Sequence, residues 1–306
     1  MLGNMKIPVM AVANQKGGVG KTTTVMIIGE HQAKCKNRRA LLVDLDMQCN
    51  TSDIWVGMEL APQATGGQLP PRLDGWSPED GVDERSSIAD IFWGKVVCPR
   101  ETWLKEDEAN PDKGFVDCMV GHPHLLETVS VEFQSANGQL NPKVHNQLRE
   151  FLADPALQEA YDLIIIDTGP TRPPLFHAAL RAATHVLIPF KPEEMDFQGM
   201  NAMRQVILQE NLNRPNEYGQ LQVVGLLPNL VRDNTALHKY FLGQLRETQG
   251  DYLFPDSVFM PQAIAIPERN VKGNTPRSLF DLPGSDKARN SAERVGEYID
   301  QKIFGA

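Results

Sequence analysis

Lys16-Gly17-Gly18-Val19-Gly20-Lys21-Thr22-Thr23 is the stretch on which the reading of this chain turns. An apolar run, IPVMAVAN (7–14), precedes it, and KTTTVMIIGEHQAKCKN (21–37), with helical apolar spacing, follows. Glycines at a strand-to-helix turn let backbone N–H groups point inward and cradle phosphate oxygens. The helix that follows aims its positive end at the same anion. Lys21 is placed to neutralise β- and γ-phosphate charge, and Thr22 to offer its hydroxyl to Mg²⁺. The plain pattern G-x-x-x-x-G-K-[ST] requires glycine where this chain has Gln15; in its stead there is a second lysine, Lys16, just before the glycines.

Outward from the loop, apolar runs alternate with helical spacing. ALLVDLD (40–46), FVDCMVG (115–121), DLIIIDTG (162–169), HVLIPF (185–190), QVVGLLPNL (222–230) and VFMP (258–261) read as strands. Helical patterns cover 87–94, 142–161, 174–184, 197–212, 236–249 and 291–304. Apolar runs of this length without two-residue alternation suit parallel strands covered on both faces. The expectation is an α/β fold: a doubly wound, mostly parallel P-loop NTPase sheet with helices on both faces, forming one domain over 1–306.

Of the 306 residues, 41% are hydrophobic and 23% charged, which excludes a disordered or fibrous chain. No apolar run reaches the ~20 residues of a membrane span, and the start reads as neither a signal peptide nor a helix-turn-helix extension. Cys35, Cys49, Cys98 and Cys118 lack C-x-x-C spacing and read as reduced cytosolic thiols. Cys118, His122 and His124 lack a suitably spaced fourth ligand, so a turn at 122–124 is preferred to a metal site. The net charge of −9 opposes coating of nucleic acid by a global positive field. Between 57 and 120 there are 13 Asp or Glu against 6 Lys or Arg, whereas 201–306 carries 12 of each sign. Turn-rich acidic loop insertions are expected near 57–86 and 98–114.

KGGVGKTT is the deviant Walker A motif, and with the motifs that follow the chain resembles the ParA/MinD family of ATPases. LLVDLDMQCNTS (41–52) is similar to the family's D-x-D-P-Q-G-N segment, with Met47 for Pro and Cys49 for Gly. YDLIIIDTGP (161–170) resembles its Walker B, HVLIPFKPEEMDFQGM (185–200) the strand and helix after it, and LLPNLVRDNT (226–235) and MPQAIAIPE (260–268) its adenine side. The resemblance implies ATP and Mg²⁺ as cofactors. It also implies an ATP-dependent homodimer, a ParB-like or adaptor partner that stimulates hydrolysis, non-specific binding to nucleoid DNA, and a cytoplasmic, nucleoid-associated location.

Phosphoryl transfer asks little covalent work of a protein; it needs charge neutralisation, a metal and an oriented water. Asp167 ends an apolar strand, where a carboxylate is costly unless it meets a cation, so an Mg²⁺ shell is its natural role. Asp44 and Asp46 lie two apart on one strand and share a face. The resemblance makes Asp46 the residue that orients water and Asp44 a support for the metal shell; the plain alternative for Asp44 is a hydrogen bond to the loop. Within its own subunit Lys16 duplicates Lys21; the resemblance implies that it reaches a partner's phosphates across a nucleotide-sandwiched dimer, in the manner of an arginine finger. Asn229 is expected to read adenine, or else to cap a loop, and Pro261 to pack on the base.

Candidate DNA contacts are Arg204, Arg232, Lys239, Arg246, Arg269, Lys272 and Arg277, with Arg232, Lys239, Arg269 and Lys272 favoured. The family's I-P-R-N-V-R is here Met260-Pro261-Gln262-Ala263-Ile264-Ala265, without its arginines. Competing classes are a MinD-like membrane-associated ATPase, against which Glu293, Glu297 and Asp300 in the last helix argue, and a metabolic P-loop enzyme of the same fold.

Overall fold

The computed structural model describes residues 5–62, 67–105, 107, 109–110, 112–132, 142–170, 174–232, 235–262 and 278–305. Strand β1 (Val9–Val12) enters the glycine loop and α1 (Lys21–Lys36), followed by β2 (Ala40–Leu45) and a short α2 (Asn50–Trp55). β3 (Glu59–Leu60) pairs antiparallel with β4 (Gln68–Leu69). After them come β5 (Arg100–Glu101), β6 (Val116–Met119), α3 (Pro123–Glu132), α4 (Pro142–Leu152) and α5 (Pro155–Ala160). The second half is β7 (Leu163–Thr168), α6 (Pro174–Ala182), β8 (His185–Phe190), α7 (Glu194–Asn213), β9 (Gln222–Pro228), α8 (Ala236–Gln249) and α9 (Lys287–Phe304).

The main sheet has the order β5-β6-β2-β7-β1-β8-β9. All neighbours are parallel except β5, which pairs antiparallel with β6 at the edge. Parallel strands covered on both faces need no polar alternation, and β1, β2 and β7 are buried at every position. One apolar layer joins the sheet to α3, α4, α6, α7 and α8. The other joins it to α1 and α9 through Val25, Ile28, Ala288, Ala292, Val295 and Ile299. This is the doubly wound α/β arrangement expected from the sequence. In the register, Asp167 stands opposite both Val12 of β1 and Asp44 of β2, so the carboxylates and the glycine loop meet at the C-terminal end of the sheet.

Some segments differ from expectation. The helical pattern 142–161 is two helices, because Pro155 cannot continue α4; Asp154 caps the new start by accepting from the Ala156 N–H. The expected turn at His122-Pro123-His124 is instead the start of α3. VFMP is not a strand: it makes one isolated bridge, Pro261 with Val231, just past β9. The stretch 98–114 is not wholly a solvated loop: it opens with β5, and the buried Arg100 donates to the Pro71 carbonyl at 3.1 Å, tying the earlier acidic segment to the sheet edge.

α9 closes over α1. Its Gly296 sits against the fully buried His31 ring, and a methyl there would lie 2.3 Å from a ring carbon. Polar contacts rim the seam: Lys36 with Glu297 at 2.7 Å, Gln32 with Asp300 at 3.3 Å, and Arg38 with Asp300. Burial pushes the His31 pKa down, against the raising charge of Glu297. Gly296→Ala is expected to destabilise the protein by about 1–3 kcal/mol, because an overpacked rigid contact must be relieved by moving α9. A lower midpoint in urea unfolding at unchanged m-value is the measurement.

Candidate nucleotide site

The loop between β1 and α1 is shaped by its glycines. Gly18 and Gly20 take φ of +71° and +82°, which a side chain would strain. A methyl at Gly20 would also meet Asn229 Nδ2 at 2.3 Å. That amide donates to the carbonyls of Val19 (3.0 Å) and Gly20 (3.3 Å) and to Thr24 Oγ1 (3.3 Å), while its oxygen accepts from the Leu230 N–H at 2.9 Å. Asn229 therefore lies beneath the loop as a brace, and in this arrangement its amide is not offered to a base. This is the loop contact that the sequence offered as the alternative to reading adenine. Asn14 braces the other side: its amide donates to the Pro189 carbonyl at 2.9 Å and its oxygen accepts from the Lys16 N–H at 3.0 Å.

Lys21 is buried, and its ammonium donates to the Lys16 carbonyl at 3.0 Å. Burial lowers its pKa, with Asp167 and Asp46 pulling the other way. Thr22 Oγ1 donates to Asp167 Oδ2 at 2.8 Å, and Thr51 Oγ1 donates to the same oxygen at 2.7 Å. Asp167 Oδ1 is buried and has no partner among the described residues. Gly17 leaves the loop close to Pro170. Thr23 is half-buried on the first turn of α1.

Asp44, opposite Asp167 in the register, has its own set of donors. Its Oδ2 accepts from the Ser52 N–H (2.8 Å) and hydroxyl (2.7 Å), and its Oδ1 from the Asp46 N–H (3.2 Å). Ser52 Oγ in turn accepts from the Gly121 N–H at 2.8 Å. These contacts match the plain alternative expected for Asp44, a hydrogen bond to the loop after β2. Asp46 lies just past β2 and does not share Asp44's setting; its Oδ1 accepts from the Gln48 N–H at 3.0 Å and faces Gly169. Burial raises the pKa of both Asp44 and Asp167. At Asp44 the charge of Asp167 adds to the rise; at Asp167 the two threonine hydroxyls oppose it.

Cys49 sits at the start of α2 with φ of +48°, the left-handed conformation that explains why glycine is usual in that motif. Its sulfur occupies room left by Gly121, where a methyl would lie 2.7 Å away. Thr51, Ser52 and Asn14 were not singled out from sequence. The available signal was a pair of hydroxyls a few residues after two aspartates in LLVDLDMQCNTS.

With this geometry in hand, the chain can be set beside known proteins. A family model described as an AAA domain matches residues 7–216. The chromosome-partitioning ATPase Soj of Thermus thermophilus is 28% identical over 95% of this chain and 96% of its own length. Protein IncC of Escherichia coli is 26% identical over 98% of this chain and 71% of its own. An ATP complex of a Cyanothece McdA variant superposes with a TM-score of 0.70 at 16% identity, over 99% of this chain and 98% of that one, a likeness of fold. The chain belongs to the ParA-type ATPases. It is a P-loop ATPase of the partitioning and positioning kind.

In this ParA-type chain Pro261 is half-buried at the edge beside Val231, where the Val231 N–H donates to the Met260 carbonyl at 3.0 Å. Arg232 and Lys239, both exposed, line one cavity of about 370 Å³ with His238, Leu242, Arg246 and Phe259. Arg246 is engaged with the carbonyls of Leu253 and Phe254 and with Asp256. Arg204 lines a different cavity, beside Met200 and Tyr252. Arg269, Lys272 and Arg277 lie outside the described residues.

Ser52→Ala removes a donor from the buried Asp44 and an acceptor from the Gly121 N–H. A loss of about 1–3 kcal/mol in stability is expected. Equilibrium unfolding of the nucleotide-free protein measures it.

Proposed function

We propose that residues 1–306 form one Mg²⁺-dependent ATPase unit, with acidic insertions near 57–86 and 98–114, that dimerises on ATP, binds DNA without sequence preference and hydrolyses ATP when a ParB-like or adaptor protein engages it. The observation that carries the reading is the meeting of Thr22, Thr51 and Asp167 beside a glycine loop bearing Lys16 and Lys21. The unpartnered, buried Asp167 Oδ1 supports a hydrated metal there, because oxygen donors suit Mg²⁺ and a buried carboxylate oxygen needs a compensating donor or charge. Thr22 and Asp167 would hold such a metal, which would supply positive charge against the phosphates.

The residues divide the remaining work. Backbone N–H groups of Gly17 to Thr23 bind phosphate, Lys21 balances its charge, and Thr22 and Asp167 hold the metal shell. Asp46, beside Gly169 at the rim of the site, orients the attacking water. Lys16 acts on the partner subunit's nucleotide, so that charge supplied in trans couples dimerisation to ATP. Pro261 is assigned to the base. DNA is assigned to Arg232 and Lys239, with Arg269 and Lys272, in the acid-balanced C-terminal third. The place of action is the cytoplasm, on the nucleoid.

A membrane track is the weaker reading. Among the described residues no helix is long and apolar enough to cross a membrane. The apolar stripe of α9, the helix a surface anchor would need, is buried in the fold.

Sedimentation tests the dimer. With ATP and Mg²⁺, Asp46→Ala is expected to sediment as a stable dimer and to hydrolyse poorly, while Lys16→Ala stays monomeric under the same conditions. Dimerisation of Lys16→Ala equal to that of the parent would remove the trans role. Lys21→Ala is expected to lose nucleotide binding altogether. For DNA, polarisation titrations should show binding with ATP and none with ADP. Affinity should fall with salt at a log–log slope of about 0.9 per neutralised phosphate, so Lys239→Ala should flatten the slope by about one unit. Absence of binding with ATP at low salt would favour a protein track.

A further inference from the structure

Helix α2 is fastened along one face at both ends. Thr51 and Trp55 are four residues apart and share that face. Thr51 Oγ1 donates to Asp167 Oδ2 at 2.7 Å. One turn later Trp55, only 1% exposed, fills a slot by Gly29 of α1, where Leu42 of β2 and Val116 of β6 also converge. Trp103 covers the other side of its ring: the centroids are 4.9 Å apart and the planes differ by 10°. The Trp103 N–H also reaches the Trp55 carbonyl, at 3.4 Å.

Trp103 is itself anchored. Thr102 Oγ1 donates to the Val116 carbonyl at 2.6 Å, the Leu104 N–H donates to Thr102 Oγ1 at 3.1 Å, and the Val116 N–H donates to the Leu104 carbonyl at 2.9 Å. The preceding β5 pairs with β6. Among the described residues neither indole N–H has a hydrogen-bond partner, so the side-chain contact is ring on ring. A mechanical line therefore runs from the sheet edge through Trp103 and Trp55 to the hydroxyls that hold Asp167 and Asp44.

We propose that Trp103 is a positioning residue for ATP hydrolysis: stacked on Trp55, it fixes α2 so that Thr51 aims the Asp167 carboxylate. Asp167 Oδ2 has two side-chain hydroxyl donors, Thr22 from the glycine loop and Thr51 from α2. Once Thr22 turns to a metal, Thr51 is the donor that remains, and the seat of α2 decides where the carboxylate points. The inference rests on the reading that Asp167 and Asp46 serve hydrolysis.

The test uses the full chain with Trp103→Ala, Trp103→Phe, Thr51→Val and the Thr51→Val/Trp103→Ala double variant. Trp103→Ala is expected to lower kcat by about tenfold or more with the ATP KM within about threefold, since small misplacements at a reacting centre cost rate before binding. Trp103→Phe, which can still stack, should restore kcat to within about twofold of the parent. The double variant should be no slower than the worse single one, and urea midpoints without nucleotide should be non-additive in the same sense. A parental kcat in Trp103→Ala, or additive effects of the two changes, would overturn the proposal. If Trp103→Ala does not fold, Trp103→Leu, which keeps bulk without the stack, is judged by the same outcomes. Asp46→Ala is run beside them: a parental rate there sinks the underlying site reading, whereas a slow Asp46→Ala with a normal Trp103→Ala sinks only this inference.

Discussion

Two carboxylates, Asp44 and Asp167, stand opposite each other at the ends of neighbouring parallel strands, both fully buried. Charge in such a place is costly, and each oxygen must be answered. The surrounding structure can be understood as that answer. Ser52 and the Asp46 N–H take up Asp44; Thr22 and Thr51 take up one oxygen of Asp167; Lys21 supplies a cation nearby. These donors come from the glycine loop, the loop after β2 and the first turn of α2. Meeting the electrostatic demand therefore brings the glycine loop with the start of α1, and the β2–α2 junction, together at the end of β7. One oxygen, Asp167 Oδ1, is left without a hydrogen-bond partner among the described residues.

The main layers were legible in the sequence because buried parallel strands are long unbroken apolar runs, and DLIIIDTG and ALLVDLD can hardly be anything else. The glycine loop was legible because its spacing carries a mechanism. What escaped was set by contacts rather than period. α2 is six residues long, too short for a periodic signal, and begins at a Cys49 whose left-handed backbone no propensity announces. β5 is two residues and exists because β6 offers it an edge. The break at Pro155 was visible in principle, yet the apolar spacing runs through it. Within the site, spacing alone did not set the directions of neighbouring side chains. Asp44 and Asp46 are two apart, but only Asp44 belongs to β2, so the shared face predicted from spacing does not extend to the loop.

α1 carries both the loop and much of the second apolar layer, and its partners treat the helix as a fixed post. Asn229 holds its N-terminal end from β9's side, Glu30 accepts from Ser278 Oγ at 2.8 Å and the Leu279 N–H at 2.9 Å, and α9 closes on His31. These contacts immobilise the helix that begins at the glycine loop, so the geometry of that loop is set in part by packing remote from it.

The two borders of the sheet have a further bearing on how such a molecule behaves in a crowded cell. One border ends in β5, two residues long, antiparallel and carrying Arg100 and Glu101; at the other, β9 is shielded by Tyr252 to Phe254, with the Leu226 N–H donating to the Tyr252 carbonyl at 2.7 Å and the Phe254 N–H returning to Leu226 at 3.1 Å. An exposed ladder is a standing invitation to polymerise strand by strand, without regard to ligand. Blunting both borders closes that indiscriminate route. Any self-recognition is then left to surfaces other than the strand ladders.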